Sequence, residues 1–113
     1  MTVTVKTLVP NHFLHTTAST HYTVPANTKA IIHNATITNS ASSAALLATV
    51  HVIDVGASES AQTVAISSRP LAPLETYKCP ELIGKPISAT GVIRAIGSST
   101  STLAFHVGGV EIV

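Results

Sequence analysis

The six histidines are the most unusual feature of this 113-residue sequence. An imidazole can bind zinc or exchange a proton near neutral pH. His12 and His15 are three residues apart, and His21 follows. Positions three apart in a strand point to opposite faces, so this spacing does not form a ready metal pair. The favoured interpretation is that these histidines are solvated or form polar cross-strand contacts.

Three further histidines, His33, His51 and His106, fall in the middle of predicted strands. His33 lies between Ile31 and Ala35, on a face that the pattern predicts to point inward. Two or three such side chains could converge in a sandwich and hold Zn²⁺. The favoured interpretation is a hydrogen-bonded histidine at a sheet edge or subunit contact, so the sequence predicts neither a bound metal nor another cofactor.

No motif for catalysis is present. The five carboxylates lie in no recognisable arrangement, and the sequence contains no nucleophile elbow, phosphate-binding loop or dinucleotide fingerprint. Cys79 precedes Pro80 in an apolar setting, which favours a packed thiol over a nucleophile. A single cysteine also excludes an internal disulfide framework. The sequence therefore predicts a protein that is not an enzyme.

The composition is apolar and nearly uncharged. Hydrophobic residues make up 45% and charged residues 10%, and the formal net charge is +1. This balance argues against a disordered chain, which combines low hydrophobicity with high charge, and against a basic nucleic-acid-binding face. No apolar run is long enough to span a membrane, and no apolar signal core follows Met1. With one unpaired cysteine, these features favour a cytoplasmic origin.

The elements that must position these side chains are predicted to be strands. Val, Ile and Thr account for 38 of the 113 residues, and these β-branched side chains suit a pleated sheet. Turn signals recur every 8–12 residues or so, and Gly108–Gly109 is predicted to separate the last two strands. Residues 1–113 are therefore predicted to form one all-β domain, an antiparallel, jelly-roll-like β-sandwich of about eight to ten short strands. Sequence alone does not specify the strand order.

The first strand has a clear alternating pattern. Thr2–Val9 is predicted to be a strand with Val3, Val5 and Val9 on one face and Thr2, Thr4 and Lys6 on the other. Pro10–Asn11 is predicted to end this strand, because proline cannot donate a main-chain hydrogen bond.

Several segments resemble one group of proteins. Tyr22–Ile32 and Ala35–Asn39 together resemble the "Y-x-V-P-A-x-T … I-x-N" opening of small β-sandwich structural proteins of tailed bacteriophages. Pro73–Tyr77 resembles their "P-x-E-T-Y" element, and Phe105–Ile112 resembles their "F-x-V-x-G-x-E-I" ending. The resemblance covers most of the chain from residue 22 onward. Residues 1–21 have no counterpart in it and are predicted to be an N-terminal arm or an extra edge strand.

The resemblance implies a virion structural protein, assembled in the host cytoplasm. Domains of this size commonly act as capsid decoration (cement) proteins, which bind the major capsid protein lattice as homodimers or homotrimers. A tail, collar or fibre-base component is the alternative, and a carbohydrate-binding sandwich is a second one, weakened by the absence of Trp and by only two Tyr. The interface candidates are Thr2, Val3, Thr4 and Val5, whose alternating pattern could add a strand to a neighbour's sheet.

Overall fold

The computed structural model describes residues 2–17, 19–43, 45–54, 62–99 and 102–113. These residues form strands and turns and contain no helix. In chain order the strands are β1 (Val3–Phe13), β2 (Ser19–Thr23), β3 (Lys29–Asn39), β4 (Leu46–Ile53), β5 (Val64–Leu71), β6 (Thr76–Tyr77), β7 (Pro86–Ile87), β8 (Val92–Gly97) and β9 (Leu103–Ile112). The all-β prediction is confirmed.

The strands form two antiparallel sheets that pack as a sandwich. The first sheet has the order β1-β9-β3-β6, with β7 also paired to β3, and the second has the order β2-β8-β4-β5. The pairings are nested: β4 pairs with β5, β3 with β6 and β7, β2 with β8, and β1 with β9. A single long hairpin wrapped into two sheets gives this connectivity, which is that of a jelly roll. The jelly-roll-like sandwich expected from the sequence is confirmed.

The core lies between the two sheets. Phe105 on β9 is the largest fully buried side chain, and it belongs to a core cluster to which both sheets contribute. The other large, fully buried side chains are Leu14, Ile32, Ile37, Leu71, Leu82, Ile87, Ile93, Leu103, Val9, Val24 and Val50. The β-branched composition thus fills an aliphatic interior.

The first strand is longer than the sequence suggested. The prediction that Pro10–Asn11 ends it is wrong, because β1 continues to Phe13 along β9. The register shifts between Val9 and His12, so the proline is accommodated in a bulge. β1 lies at the edge of its sheet, where a missing main-chain donor is tolerated.

A second bulge inverts the predicted alternation of β1. The register also shifts between Thr7 and Val9, and Leu8 and Val9 are both buried. Val9 therefore packs in the core while Val3 and Val5 lie on the opposite, outer face of the sheet. The prediction that the three valines share a face is wrong, because one extra residue in a bulge reverses every later side chain.

The glycine pair near the C-terminus does not separate two strands. Gly108 and Gly109 lie inside β9, paired with β1 on one side and β3 on the other. The register of β3 shifts between Ile32 and Asn34, opposite these glycines, so that Ile32 is buried and His33 is exposed. The prediction that His33 points inward is therefore wrong.

Candidate protein-binding surface

An apolar row crosses the outer face of the first sheet. Val5 on β1 is opposite Val110 on β9, Val110 is opposite Ile31 on β3, and Ile31 is opposite Pro86 on β7. Directly opposite residues in an antiparallel sheet share a face and lie side by side. Four strands therefore contribute one continuous line of apolar side chains.

A second apolar pair extends this line. Val3 is opposite Ile112 at the adjacent outward positions, and both side chains reach the surface. Val5 is 85% exposed and Val3 is 56% exposed, so no other described residue covers either side chain fully. We call the set the apolar face; its members are Val3, Val5, Ile31, Pro86, Val110 and Ile112.

The inner side of the same strands carries charge. Glu111, between Val110 and Ile112, is only 9% exposed. It accepts a hydrogen bond from the Tyr22 hydroxyl of β2 and lies 3.4 Å from Lys6 Nζ of β1. Burial, followed by the contact with Glu111, raises the pKa of Tyr22 above its usual range, so its hydroxyl stays protonated and able to donate. At this end of the sheet a carboxylate is buried while valine and isoleucine face outward.

A groove of about 440 Å³ adjoins the apolar face. Its lining includes Gly108, which has no side chain, and the polar side chains of His33, Asn34 and His106. The remaining lining residues are Val5, Lys6, Thr7, Gly109 and Val110. Two of the three candidate zinc histidines therefore lie in one groove.

The third candidate, His51, lies in the other sheet. Its ring Nδ1 is 2.8 Å from the Thr63 hydroxyl, which gives it a local polar partner. Within the described residues no group of three or more His, Cys, Asp or Glu side chains has a metal-binding arrangement. His33, His51 and His106 thus do not converge on one point.

Another histidine pair forms where the sequence pattern gave no reason to expect one. The ring centroids of His12 and His21 are 6.2 Å apart, and those of His21 and Phe105 are 5.7 Å apart with the two rings nearly perpendicular. His21 Nε2 is buried without a hydrogen-bond partner among the described residues. Burial, followed by the proximity of His12 and His15, lowers the pKa of His21. The pair lies at the open edge between β1 and β2.

The four interface candidates occupy the start of the chain's own first sheet. Val3, Thr4 and Val5 belong to β1 and pair with β9, and Thr2 exchanges main-chain hydrogen bonds with Val113. The segment is thus an edge strand whose outer long side faces no described strand. Its role in an interface remains a prediction.

Sequence reasoning did not identify four members of the apolar face: Ile31, Pro86, Val110 and Ile112. The Val–Glu–Ile ending did contain a signal, since its alternation places the glutamate on one side and the two apolar residues on the other. The pattern cannot say which side is covered by the second sheet. That choice depends on the bulges in β1 and β3.

Comparison with known protein families, curated proteins and solved structures finds no match for this chain. No helix in the described part of the chain is long and apolar enough to cross a membrane.

Proposed function

We propose that this chain is a structural protein of a bacteriophage virion, a decoration protein that binds the major capsid protein lattice through its apolar face. The observation that carries the proposal is the distribution of side chains at one end of the first sheet. There the charged Glu111 is buried, and apolar side chains reach the surface: Val3, Val5, Val110 and Ile112. A contiguous apolar patch on a small domain marks a surface that another protein covers.

The fold and the sequence resemblance support the same role. A jelly roll is a common architecture of viral capsid domains. The segments from Tyr22 to Val113 that resemble small phage sandwich proteins include both Ile31 and the Val110–Ile112 ending. The proposed role requires neither a cofactor nor catalysis.

The alternative of sugar binding has less support. Sugar rings stack on exposed aromatic faces, and the chain has two tyrosines for this purpose. Tyr22 is 8% exposed, and the Arg69 guanidinium covers one face of Tyr77 at 4.2 Å from the ring centre. Tyr22 is therefore buried, and one face of the Tyr77 ring is occupied.

The proposed contact is apolar, so its strength should depend little on salt. A net charge of +1 gives almost no long-range attraction, and ionic strength screens only charge–charge terms. Capsids that lack the protein should bind it with similar affinity at low and high salt and melt at a higher temperature. Binding that collapses in high salt would contradict the apolar mechanism.

Two lysine substitutions test the surface itself. Val110→Lys places an ammonium in the middle of the apolar face and should weaken capsid binding by at least about tenfold, because burying an unpaired charge is costly. Leu47→Lys is the matched control, since Leu47 is 46% exposed on the second sheet. We expect the control to bind like the wild type. If no form binds capsids and the wild type binds purified tails, the tail alternative replaces the capsid proposal.

A further inference from the structure

The outer edge of β1 presents a regular set of main-chain groups. Thr2 N donates to Val113 O at 3.0 Å, and Val113 N donates to Thr2 O at 2.8 Å. In an antiparallel ladder such hydrogen-bonded pairs alternate with pairs whose main-chain groups point away. Thr4 and Lys6 therefore bond to β9, and the N–H and C=O groups of Val3, Val5 and Thr7 point to the free side.

Nothing in the described part of the chain protects this stretch from pairing. The bulges that interrupt β1 lie beyond it, at Leu8 and at Pro10–Asn11. Lysine can protect a free edge, but Lys6 Nζ is held 3.4 Å from Glu111 on the inner side of its own sheet. Val3–Thr7 is thus a regular, uncapped strand edge.

We propose that the occupant of this edge is a second copy of the chain, paired antiparallel through the same segment about a two-fold axis at Val5. In that register Val5 is opposite the partner's Val5, and Val3 is opposite the partner's Thr7. Each of the three pairs exchanges two main-chain hydrogen bonds. The interface is self-complementary, as a closed two-fold dimer requires.

Charge repulsion and the number of main-chain pairs favour this register over its neighbours. Moving the axis to Lys6 places two lysines directly opposite each other, which is unfavourable. Moving it to Thr4 reduces the pairs within Val3–Thr7 from three to two. Centring the axis on Val5 places Lys6 opposite a threonine and keeps all three pairs.

The pairing also joins the two apolar faces. The first sheets of both copies become one continuous sheet, and the outward side chains of Val3 and Val5 continue across the axis. The apolar surface that each copy exposes at its edge becomes the middle of a larger patch. This dimer does not depend on which larger assembly the patch binds.

Substitutions at Val5 test the hydrogen bonds. Val5→Pro removes the outward N–H, which a proline at an edge can lack without loss of the fold. Val5→Ala is the matched control, because it shortens the side chain and keeps the N–H. Light scattering and analytical ultracentrifugation should give a wild-type dimer with twice the 11.6 kDa chain mass. Val5→Pro should raise the dimer dissociation constant at least about tenfold relative to Val5→Ala, since both copies lose a bond.

Disulfide cross-linking tests the register. Hydrogen-bonded antiparallel partners have Cα atoms about 5.5 Å apart, within the span of a disulfide. Val5→Cys should therefore form a covalent dimer on oxidation. Val3→Cys alone should not, because its two copies lie more than about 13 Å apart along the strands, whereas a mixture of Val3→Cys and Thr7→Cys chains should cross-link. The native Cys79 is buried, and burial raises the pKa of its thiol to about 12, so it does not compete.

Three outcomes would overturn the proposal: a wild-type monomer at every concentration, a Val5→Pro dimer as tight as Val5→Ala, or equal cross-linking at Val3 and Val5. All are measured without capsids, so they are distinct from a failure of the capsid proposal. Circular dichroism of each variant shows whether its fold is retained.

Discussion

At the residue scale, the buried carboxylate of Glu111 is the most consequential side chain. A buried charge is costly unless other groups solvate it. Here the Tyr22 hydroxyl and the Lys6 ammonium do so, from two strands that belong to different sheets. The network connects the two sheets through side chains of β1, β2 and β9.

Removing the Tyr22 hydroxyl should therefore weaken the fold. Tyr22→Phe keeps the ring and takes away one partner of Glu111, so the free energy of unfolding should fall by about 1–3 kcal/mol. Tyr77→Phe is the matched control, because the Tyr77 hydroxyl also donates to a glutamate, Glu81, at an exposed site. It should change stability by less than about 0.5 kcal/mol. Urea unfolding at pH 7 measures both, and equal losses would contradict the role assigned to burial.

The lowered pKa of His21 makes stability depend on pH in a defined direction. The unfolded chain, with a histidine pKa near 6.5, binds a proton more readily than the folded chain does. The contribution of the neutral His21 ring to the free energy of unfolding is therefore fully present above about pH 6.5. It is lost as the pH falls from there toward the lowered pKa of the folded state. Phe105 and the neighbouring His12 and His15 offer no negative partner for the imidazolium.

The urea midpoint should accordingly be lower at pH 5 than at pH 7.5. His21→Gln should show a flatter dependence, because the buried titrating ring is gone. His33→Gln removes an exposed histidine and should keep the wild-type dependence. The same slope in all three proteins would mean that acid sensitivity arises elsewhere in the chain.

At the element scale, the central strand β9 depends on the absence of a side chain at Gly109. A Cβ at Gly109 would lie 2.3 Å from the main-chain oxygen of Ile31 and 2.9 Å from Leu8 Cδ1. These neighbours belong to β1 and β3, which both have a bulge beside Gly109. The two strands can pack this closely against β9 only because position 109 has no side chain. Gly109 thus permits close packing inside a strand.

The two glycines should respond differently to alanine. Gly109→Ala forces main-chain atoms apart and should destabilise the fold by about 1–3 kcal/mol. At Gly108 the nearest atom is Asn34 Oδ1, the end of an exposed side chain that can rotate away, so Gly108→Ala should cost less than about 1 kcal/mol. Thermal unfolding followed by circular dichroism compares the pair. A larger loss at Gly108 would contradict this explanation.

At the scale of the whole molecule, the domain combines a nested β topology with a nearly neutral, partly apolar surface. If two copies pair through β1, each dimer carries two apolar faces on one sheet. Two linked sites bind a repeating lattice far more tightly than one, because the second contact is intramolecular. Dimer formation and capsid binding would then be coupled through geometry rather than charge.

This coupling predicts how the Val5 variants bind capsids. At protein concentrations where only Val5→Pro is monomeric, its affinity for capsids should fall at least about tenfold below that of Val5→Ala. Both variants lose the valine side chain, so the difference in affinity between them reports the effect of losing the main-chain N–H. Equal affinities would mean that single copies bind the lattice independently.

The sequence by itself determined the fold class and much of the strand inventory. Its β-branched residues and frequent turn signals predicted an antiparallel sandwich, and β3 runs from Lys29 to Asn39 as the alternation indicated. These features are local: side-chain shape and turn chemistry act within a few residues. The apolar, nearly uncharged composition could likewise be read directly from the chain.

The tertiary structure alone decided which side of each strand faces the core. Leu8 and His33 occupy bulges beside Gly108 and Gly109, and each bulge shifts the side-chain alternation by one residue. A single extra residue reverses the exposure of everything that follows, and an alternating pattern looks the same from either side. Burial of Glu111 and exposure of Val5 and Val110 therefore follow from how three strands meet, a long-range property that no local pattern encodes.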